Sequence, residues 1–172
     1  VVLTGAMSWQ GLALSVLPFC LVNNLLLLNQ FPDVEADQSV GRRTLPVLLG
    51  RLGSVPVLGL QYGVAFGAVL LGLALGWWPA ATGLAVLGLP LAVSAWQRAQ
   101  AHADDLPGLQ PAMALNVAVN LITPVLAALG FLFSQSIATG GWLASLAEFL
   151  GPRAEAMASA ISSSAWPADC AT

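Results

Sequence analysis

The sequence predicts an all-α fold, a bundle of four helices that cross a membrane, and three observations support this. Of the 172 residues, 58% are hydrophobic and 8% are charged, and the mean hydropathy is +0.82. A soluble domain has about 25% charged residues, so a soluble class is excluded. Four apolar stretches reach the length of about 20 residues that a spanning helix needs, and the charges fall between them. We therefore expect a polytopic membrane protein embedded in the lipid bilayer.

The charged residues and cysteines exclude several kinds of partner. The formal net charge is −3, and the five basic residues are all arginines, so no basic face for nucleic acid is expected. Cys20 and Cys170 have neither the spacing of metal ligands nor that of a disulfide framework, and we interpret both as structural. The sequence contains no signal for a particular oligomeric state.

The first two spans flank the most polar part of the sequence. Helix A is expected over residues 9–38, apolar at first and increasingly polar toward its end. After a turn at residues 40–43, the short segment 44–52 leads into helix B over residues 55–78, which contains no charged residue. Pro79 follows two tryptophans and is expected to end this helix.

The last two spans are separated by a second polar loop. Helix C is expected over residues 80–96 and the loop over residues 97–110. Helix D is expected over residues 111–133, with Pro124 as an internal kink whose freed backbone groups neighbouring helices can satisfy.

The C-terminal region is expected to differ from the spans. Residues 141–150 could form a short interfacial helix that carries Trp142 and Glu148, and the Ala- and Ser-rich residues 151–172 a loose tail. The predicted organisation is thus a membrane domain over residues 1–150, followed by that tail.

The distribution of arginines predicts the orientation. Arg42, Arg43 and Arg51 lie in the loop between helices A and B, and Arg98 lies between helices C and D, whereas the connection between B and C has no basic residue. By the positive-inside rule both charged loops face the cytoplasm. We therefore expect an integral protein of the cell (inner) membrane with its C-terminus outside.

The polar end of helix A carries the clearest functional signal. Three of the chain's eight acidic residues, Asp33, Glu35 and Asp37, lie within five residues of one another. On a continuous helix Asn29, Asp33 and Asp37 are four apart and share a face, from which Glu35 points away. A solvated loop is the alternative interpretation, but the polarity begins where the helix is still expected within the membrane interface, and polar residues at such depth tend to be functional.

The carboxylates of Asp33 and Asp37 repel each other mildly at this spacing, so a cation is their natural partner. Mg²⁺ is usually held by one or two carboxylates together with substrate phosphates. Both aspartates are therefore candidate metal-binding and catalytic residues. Asn29 is a candidate substrate-binding residue, and Arg42 or Arg43 could bind the same phosphates. The sequence does not distinguish between the two arginines.

The surrounding run, residues 29–50, reads NQFPDVEADQSVGRRTLPVLLG. It resembles the second aspartate-rich motif of the UbiA superfamily of intramembrane aromatic prenyltransferases. The likeness is strongest to the 1,4-dihydroxy-2-naphthoate polyprenyltransferase-like branch, in which N-x-x-x-D-x-x-x-D leads into G-[KR]-x-T-L-x-V-x-L-G. The pattern of helices around the motif also agrees.

The resemblance implies a fold and an activity. In that family nine helices surround a central cavity, and the spans predicted here would be the last four. The implied reaction transfers a polyprenyl group from an allylic prenyl diphosphate to an aromatic acceptor, a quinone precursor such as that of menaquinone synthesis. The implied cofactor is Mg²⁺, held with the diphosphate by Asp33 and Asp37, with support from Asn29 and from Arg42 or Arg43.

The sequence departs from the family pattern in one respect. A first N/D-x-x-x-D-x-x-x-D motif is expected well before the second, and this sequence has no such run. Asp104 and Asp105 are adjacent and do not replace it. We therefore expect the C-terminal part of a longer enzyme, inactive by itself. The alternative is a non-catalytic membrane scaffold or partner subunit; a transporter is disfavoured because neither an acid within a span nor an inverted repeat is visible.

Polar and aromatic residues within the spans are further candidates. Tyr62 and Phe66 are four apart and could line the substrate cavity, although helix packing is the simpler interpretation. Asn116 and Asn120 form a polar stripe on helix D; such amides usually hydrogen-bond a neighbouring helix, and substrate contact is the minority interpretation. His102 lies in a charged loop and is expected to be solvated.

Overall fold

The computed structural model describes residues 8–138. The chain divides into two units, up to and after Leu132, and the packing described below is that of the first. All the regular structure of the described residues is helical, as predicted, and none of it is strand. The expected interfacial helix (residues 141–150) and tail (residues 151–172) lie outside the described residues.

Six α-helices and one 3₁₀ helix make up the described chain. In order they are α1 (Trp9–Asn29), α2 (Val34–Ser39), α3 (Leu45–Leu49), α4 (Arg51–Ala74), the 3₁₀ helix (Ala80–Gly88), α5 (Leu89–Ala101) and α6 (Leu106–Ala138). Within the described residues four segments are long and apolar enough to cross a membrane, namely Trp9–Asn29, Arg51–Ala74, Ala80–Ala101 and Leu106–Gln135. The prediction of four spans is confirmed, and the protein is an integral membrane protein.

The first span ends earlier than the sequence analysis predicts. α1 stops at Asn29 and does not continue to residue 38. Pro32 is the cause, because proline disfavours helical geometry at the residue before it and offers no N–H to the helical ladder. A tight turn follows, and the short helix α2 begins at Val34.

Two glycines in left-handed conformations set the limits of the second span. Gly50, with φ +76°, separates α3 from α4, so α4 begins at Arg51, one turn before the expected start. Gly76, with φ +67°, follows the end of α4, and the Trp77 N–H donates to Gly72 O at 2.9 Å. This is the hydrogen bond of a Schellman cap, and it ends α4 about one turn before the expected position.

The third span changes helix type midway. Its first part, Ala80–Gly88, is a 3₁₀ helix of nine residues, although runs longer than about 3–4 residues are uncommon. It packs closely on α6, where Gly130 lies so near the backbone of Ala81 that a Cβ would collide with it. The α-helical part ends at Ala101, beyond the expected end, and α6 extends past both ends of the predicted helix D.

The core forms around α1 and α4, with contributions from the other spans. Buried leucines, valines and alanines fill it, among them Leu21, Leu58, Val69, Ala92 and Leu109. Large apolar side chains on the outer faces remain exposed, including Leu60, Leu71, Leu121, Ile122 and Leu129. Water disfavours so much apolar surface, whereas lipid tails are as apolar as leucine. The surface of the bundle is therefore suited to a bilayer.

Candidate functional site

The acidic segment, which we define as residues 29–43, begins at the end of the first span. The Asp33 N–H donates to Gln30 O at 3.2 Å, and the Asp37 N–H donates to Asp33 O at 2.8 Å. Asp33 and Asp37 are therefore one helical turn apart, as predicted. Asn29 ends α1 on the other side of the turn. The predicted continuous helical face that joins Asn29 to both carboxylates is therefore wrong.

Two ion pairs stabilise the acidic segment. The acidic partner is buried in one pair, and the basic partner is buried in the other. Arg42 Nη1 lies 3.2 Å from Asp37 Oδ1, with the arginine side chain 72% exposed and the aspartate 8% exposed. Arg51 Nη2 lies 2.6 Å from Glu35 Oε2, and here the arginine is 13% exposed and the glutamate 68%. One pair buries its acid and the other its base, so each leaves one charged group in solvent.

Arg51 also contacts the backbone of the turn. Its Nε donates to Phe31 O at 2.8 Å, and Phe31 itself is fully buried. The sequence analysis used Arg51 only to predict orientation and missed this contact, because its partners lie 20 and 16 residues earlier. The available signal was an arginine at the start of an apolar span, where a charge needs a partner.

The contact with Arg51 changes the acidity of Glu35. The hydrogen bond from the guanidinium holds the pKa of Glu35 below its ordinary value of 4.5, and a backbone hydrogen bond and the positive charge of Arg51 act in the same direction. A lowered pKa in the folded state stabilises the fold above the ordinary pKa. This contribution is lost as the pH falls through the lowered value.

Two charged side chains of the acidic segment have no partner among residues 8–138. Asp33 and Arg43 are exposed, and neither takes part in an ion pair or a side-chain hydrogen bond with the described residues. A ligand can therefore reach both groups without breaking an existing contact.

The carboxylates of Asp33 and Asp37 are candidate metal ligands. Within residues 8–138 no group of three or more His, Cys, Asp and Glu side chains could hold a metal ion. The pair nevertheless supplies oxygen donors of the kind that Mg²⁺ prefers. Asp33 has no ion-pair partner among the described residues, and the exposed Arg42 can leave the buried Asp37 when a cation takes its place, because the cation then compensates the carboxylate charge. The two residues fit an ion that takes its other ligands from phosphates and water.

A second polar site, which we call the amide network, consists of Asn24, Tyr62 and Asn116. The Tyr62 OH donates to Asn116 Oδ1 at 2.7 Å, and Asn116 Nδ2 donates to Asn24 O at 3.0 Å. Asn24 Nδ2 in turn donates to Leu58 O at 3.1 Å. All three residues are buried, and together they join α1, α4 and α6. The interpretation of Asn116 as an interhelical amide therefore agrees with the structure, whereas the sequence analysis missed Asn24.

The other candidates within and between the spans have different surroundings. Asn120 is half-buried, and its Nδ2 has no hydrogen-bond partner among the described residues. Phe66 is 2% exposed and belongs to the core, which agrees with the packing interpretation. His102 Nδ1 lies 3.3 Å from Asp105 Oδ2, so the loop histidine has an acidic partner.

Tyr62 also borders an apolar groove of about 440 Å³ between α4 and the third span. The groove is lined by two glycines and by apolar side chains, among them Pro56, Leu60, Leu89 and Trp96. Its size lies within the range of small-molecule sites. Because its walls are almost entirely apolar, it suits a hydrocarbon chain.

Comparison with known proteins places these features in a family. The UbiA prenyltransferase family model matches residues 1–116, which include the acidic segment and the amide network. Over 78 residues the chain is 33% identical to 1,4-dihydroxy-2-naphthoate octaprenyltransferase of Bacillus subtilis (strain 168), and this alignment covers 43% of the chain but only 25% of that protein. No solved structure matches the chain. Because the family model spans more than half of the sequence, the chain belongs to the UbiA prenyltransferase family.

Proposed function

We propose that this chain provides diphosphate-binding residues of an intramembrane prenyltransferase, which transfers a polyprenyl group from an allylic prenyl diphosphate to an aromatic acceptor. The observation that carries the proposal is the placement of Asp33 and Asp37 one turn apart at the end of a span, with Arg43, which has no partner within residues 8–138, in the same segment. Membership of the UbiA family supports the proposal.

The acidic segment has the role of binding the diphosphate. Asp33 and Asp37 would hold Mg²⁺, which would supply positive charge to neutralise the leaving diphosphate. Arg43 donates charge-assisted hydrogen bonds to the diphosphate, because its guanidinium is exposed and has no partner among the described residues. Arg42 contributes when it leaves Asp37, and Asn29 adds an amide at the end of α1.

The membrane spans have the role of keeping water away from the allylic group once the bond to diphosphate breaks. The groove beside Tyr62 offers a binding place for an isoprenoid chain, since its walls are apolar and it opens on the lipid-facing side of α4, where Leu60 is exposed.

The acceptor is proposed to be a quinone precursor of the dihydroxynaphthoate class, as in menaquinone synthesis, because the relative from Bacillus subtilis is named for that acceptor. Among the polar candidates, Asn120 has a buried Nδ2 without a partner in residues 8–138 and is available to bind an acceptor oxygen. Tyr62 and Asn116 would first have to give up their mutual hydrogen bond.

The orientation is part of the proposal. Arg42, Arg43, Arg51 and Arg98 all lie on the loops or helix ends at one end of the four spans. By the positive-inside rule that end faces the cytoplasm. The acidic segment would then meet a prenyl diphosphate at the cytoplasmic face of the cell (inner) membrane, with the end of α6 on the outer side.

The experiment that tests the proposal measures binding of farnesyl diphosphate to the full chain in lipid nanodiscs, with and without Mg²⁺. We expect Mg²⁺-dependent binding by the parent. Asp33→Ala and Asp37→Ala should each weaken it by at least about 100-fold, since even the outer-shell partners of a metal are worth about 10- to 100-fold. Asp104→Ala is the matched control, because Asp104 is an exposed acid in the other polar loop and forms no ion pair with the described residues.

The outcomes distinguish a diphosphate-binding role from that of a non-catalytic scaffold or partner subunit. Loss of binding in both aspartate variants, with unchanged binding in Asp104→Ala, supports the assigned site. Equal binding by the parent and Asp33→Ala overturns the site assignment. A parent that binds no farnesyl diphosphate at any Mg²⁺ concentration overturns the proposed role and favours a non-catalytic scaffold or partner subunit.

A further inference from the structure

The short helix α2 cannot hold its own position. It has six residues, and the Asp33 side chain makes no capping hydrogen bond at its start. Helices shorter than about 12 residues are marginal in water, so the position of Asp33 depends on contacts with the rest of the bundle. Val34 and Asp37 bury one face of α2, but Asp33 itself is exposed.

Arg51 reaches the chain on both sides of Asp33. Its Nε binds the Phe31 carbonyl, two residues before Asp33, and its Nη2 binds the Glu35 carboxylate, two residues after it. We propose that Arg51 is a positioning residue, which fixes the turn so that Asp33 is presented for binding of a metal and diphosphate. The inference rests on the proposed function of Asp33.

The helix that carries Arg51 is long and well packed, so it holds the backbone of Arg51 in a fixed position. Arg51 is the first residue of α4, whose 24 residues pack along α1, and Gly50 places it there through a left-handed turn. The guanidinium side chain is 13% exposed, so its conformation is constrained by its surroundings. Because its charge is already paired with Glu35, Arg51 acts through the turn and is not itself a ligand of the diphosphate.

The contact requires arginine chemistry. A guanidinium presents several N–H groups in a fixed plane and can bind a carbonyl and a carboxylate at once, whereas the ammonium of lysine is a compact point charge. Arg51→Lys therefore keeps the charge at the start of α4 and loses the simultaneous contacts. Arg98→Lys is the matched control, because Arg98 is exposed and forms no ion pair among the described residues.

The test combines a measurement without ligand and one with ligand on the full chain in nanodiscs. Hydrogen exchange in the absence of Mg²⁺ reports opening of the turn through the amides of Asp33 and Asp37. In Arg51→Lys we expect this exchange to accelerate by about tenfold, as for loss of one charge-assisted hydrogen bond. Exchange within α1 should remain that of the parent, and the unfolding temperature should fall only slightly.

The ligand measurement is the Mg²⁺ concentration at which farnesyl diphosphate binding is half-maximal. We expect Arg51→Lys to raise it by about tenfold while binding at saturating Mg²⁺ is recovered. Glu35→Gln keeps the bond to Phe31 and should give a smaller change in both measurements, and Arg98→Lys should give none.

The outcomes distinguish failure of this inference from failure of the proposed function. Parent-like exchange at the turn in Arg51→Lys overturns the positioning role, whatever the binding result. Faster exchange throughout α1 and α4 with a lower unfolding temperature also overturns it, in favour of a general structural role. Faster exchange confined to the turn supports the fixing of the turn even if the parent binds no farnesyl diphosphate, which refutes the proposed function alone.

Discussion

The acidic segment and the amide network both keep polar side chains in place, but they pair them in different ways. In the acidic segment each ion pair has one partner exposed to solvent, and Asp33 and Arg43 have no partner in the part of the chain that the structure describes. In the amide network the Tyr62 hydroxyl and the Asn116 amide are buried and bind each other. The difference indicates that the first region can respond to a ligand, whereas the second ties helices together where water is absent.

The two regions also differ in the free energy that is lost when their contacts are broken. In the acidic segment Asp33 and Arg43 are exposed and have no partner among the described residues, so a ligand can bind them without breaking an existing contact. Interhelical hydrogen bonds in membranes average about 0.6 kcal/mol and reach about 1.7 kcal/mol, and their loss leaves buried groups unpaired. Substitutions in the two regions should therefore affect different measurements, diphosphate binding in one and stability in the other.

Among the arginine substitutions in the acidic segment, Arg43→Gln is expected to have the largest effect on binding. Removal of an unpaired guanidinium should weaken Mg²⁺-dependent binding of farnesyl diphosphate by about 10- to 100-fold, as for a hydrogen bond to a charged group. Arg42→Gln should have a smaller effect, because Arg42 is shared with Asp37. Neither variant should change the unfolding temperature. Equal losses in both variants would contradict the distinction between a free and a shared arginine.

Asn116→Leu should have the largest effect on stability among the substitutions in the two regions. It removes the acceptor of the Tyr62 hydroxyl and the donor to Asn24 O. We expect the free energy of unfolding in detergent or lipid to fall by about 1–2 kcal/mol, with unchanged binding of farnesyl diphosphate. Asn23→Leu is the control, because Asn23 binds Phe19 O within α1. An equal loss in the control would show that the interhelical bonds contribute nothing specific.

Tyr62→Phe also tests the contribution of the amide network to stability, and it removes only one hydroxyl group. The ring stays in the core while the hydroxyl is removed, so only the hydrogen bond to Asn116 is lost. The free energy of unfolding should fall by about 0.6 kcal/mol, the average for such a bond in a membrane. A sharp loss of prenyl transfer to the acceptor, or of substrate binding, without a change in the free energy of unfolding would show that Tyr62 contacts a substrate. The assignment of the amide network to helix packing would then be wrong.

The four spans and the aspartate spacing could be predicted from the sequence, because hydropathy and short-range periodicity are local properties. The break after Asn29 is also predictable from Pro32, whose effect on the preceding residue is local. The four-residue spacing of the polar residues favours a continuous helix instead, and this is why the sequence analysis predicts one. The change of helix type at residues 80–88 is different, since close packing against Gly130 of α6 accompanies it and no local pattern reports such packing.

The contacts of Arg51 and Asn24 could not be predicted, because they join residues distant in the sequence. Arg51 binds Phe31 and Glu35 from the next span, and Asn24 binds Leu58 across the α1–α4 interface. Which partner a buried polar group finds depends on the rotation of one helix against another. The sequence alone shows that such a group needs a partner and leaves the partner open.

The smallest effect is expected for Glu35→Gln, and it appears as a change in pH dependence. Arg51 lowers the pKa of Glu35 below 4.5, so the ion pair stabilises the parent at neutral pH and loses its effect as the pH falls through the lowered pKa. The unfolding temperatures of parent and variant should therefore differ slightly at about pH 7 and converge as the pH falls through the lowered pKa of Glu35. Asp104→Asn, which changes an exposed acid without an ion pair among the described residues, should parallel the parent throughout. A gap between parent and Glu35→Gln that stays constant with pH would show that the carboxylate charge has no part in holding the turn.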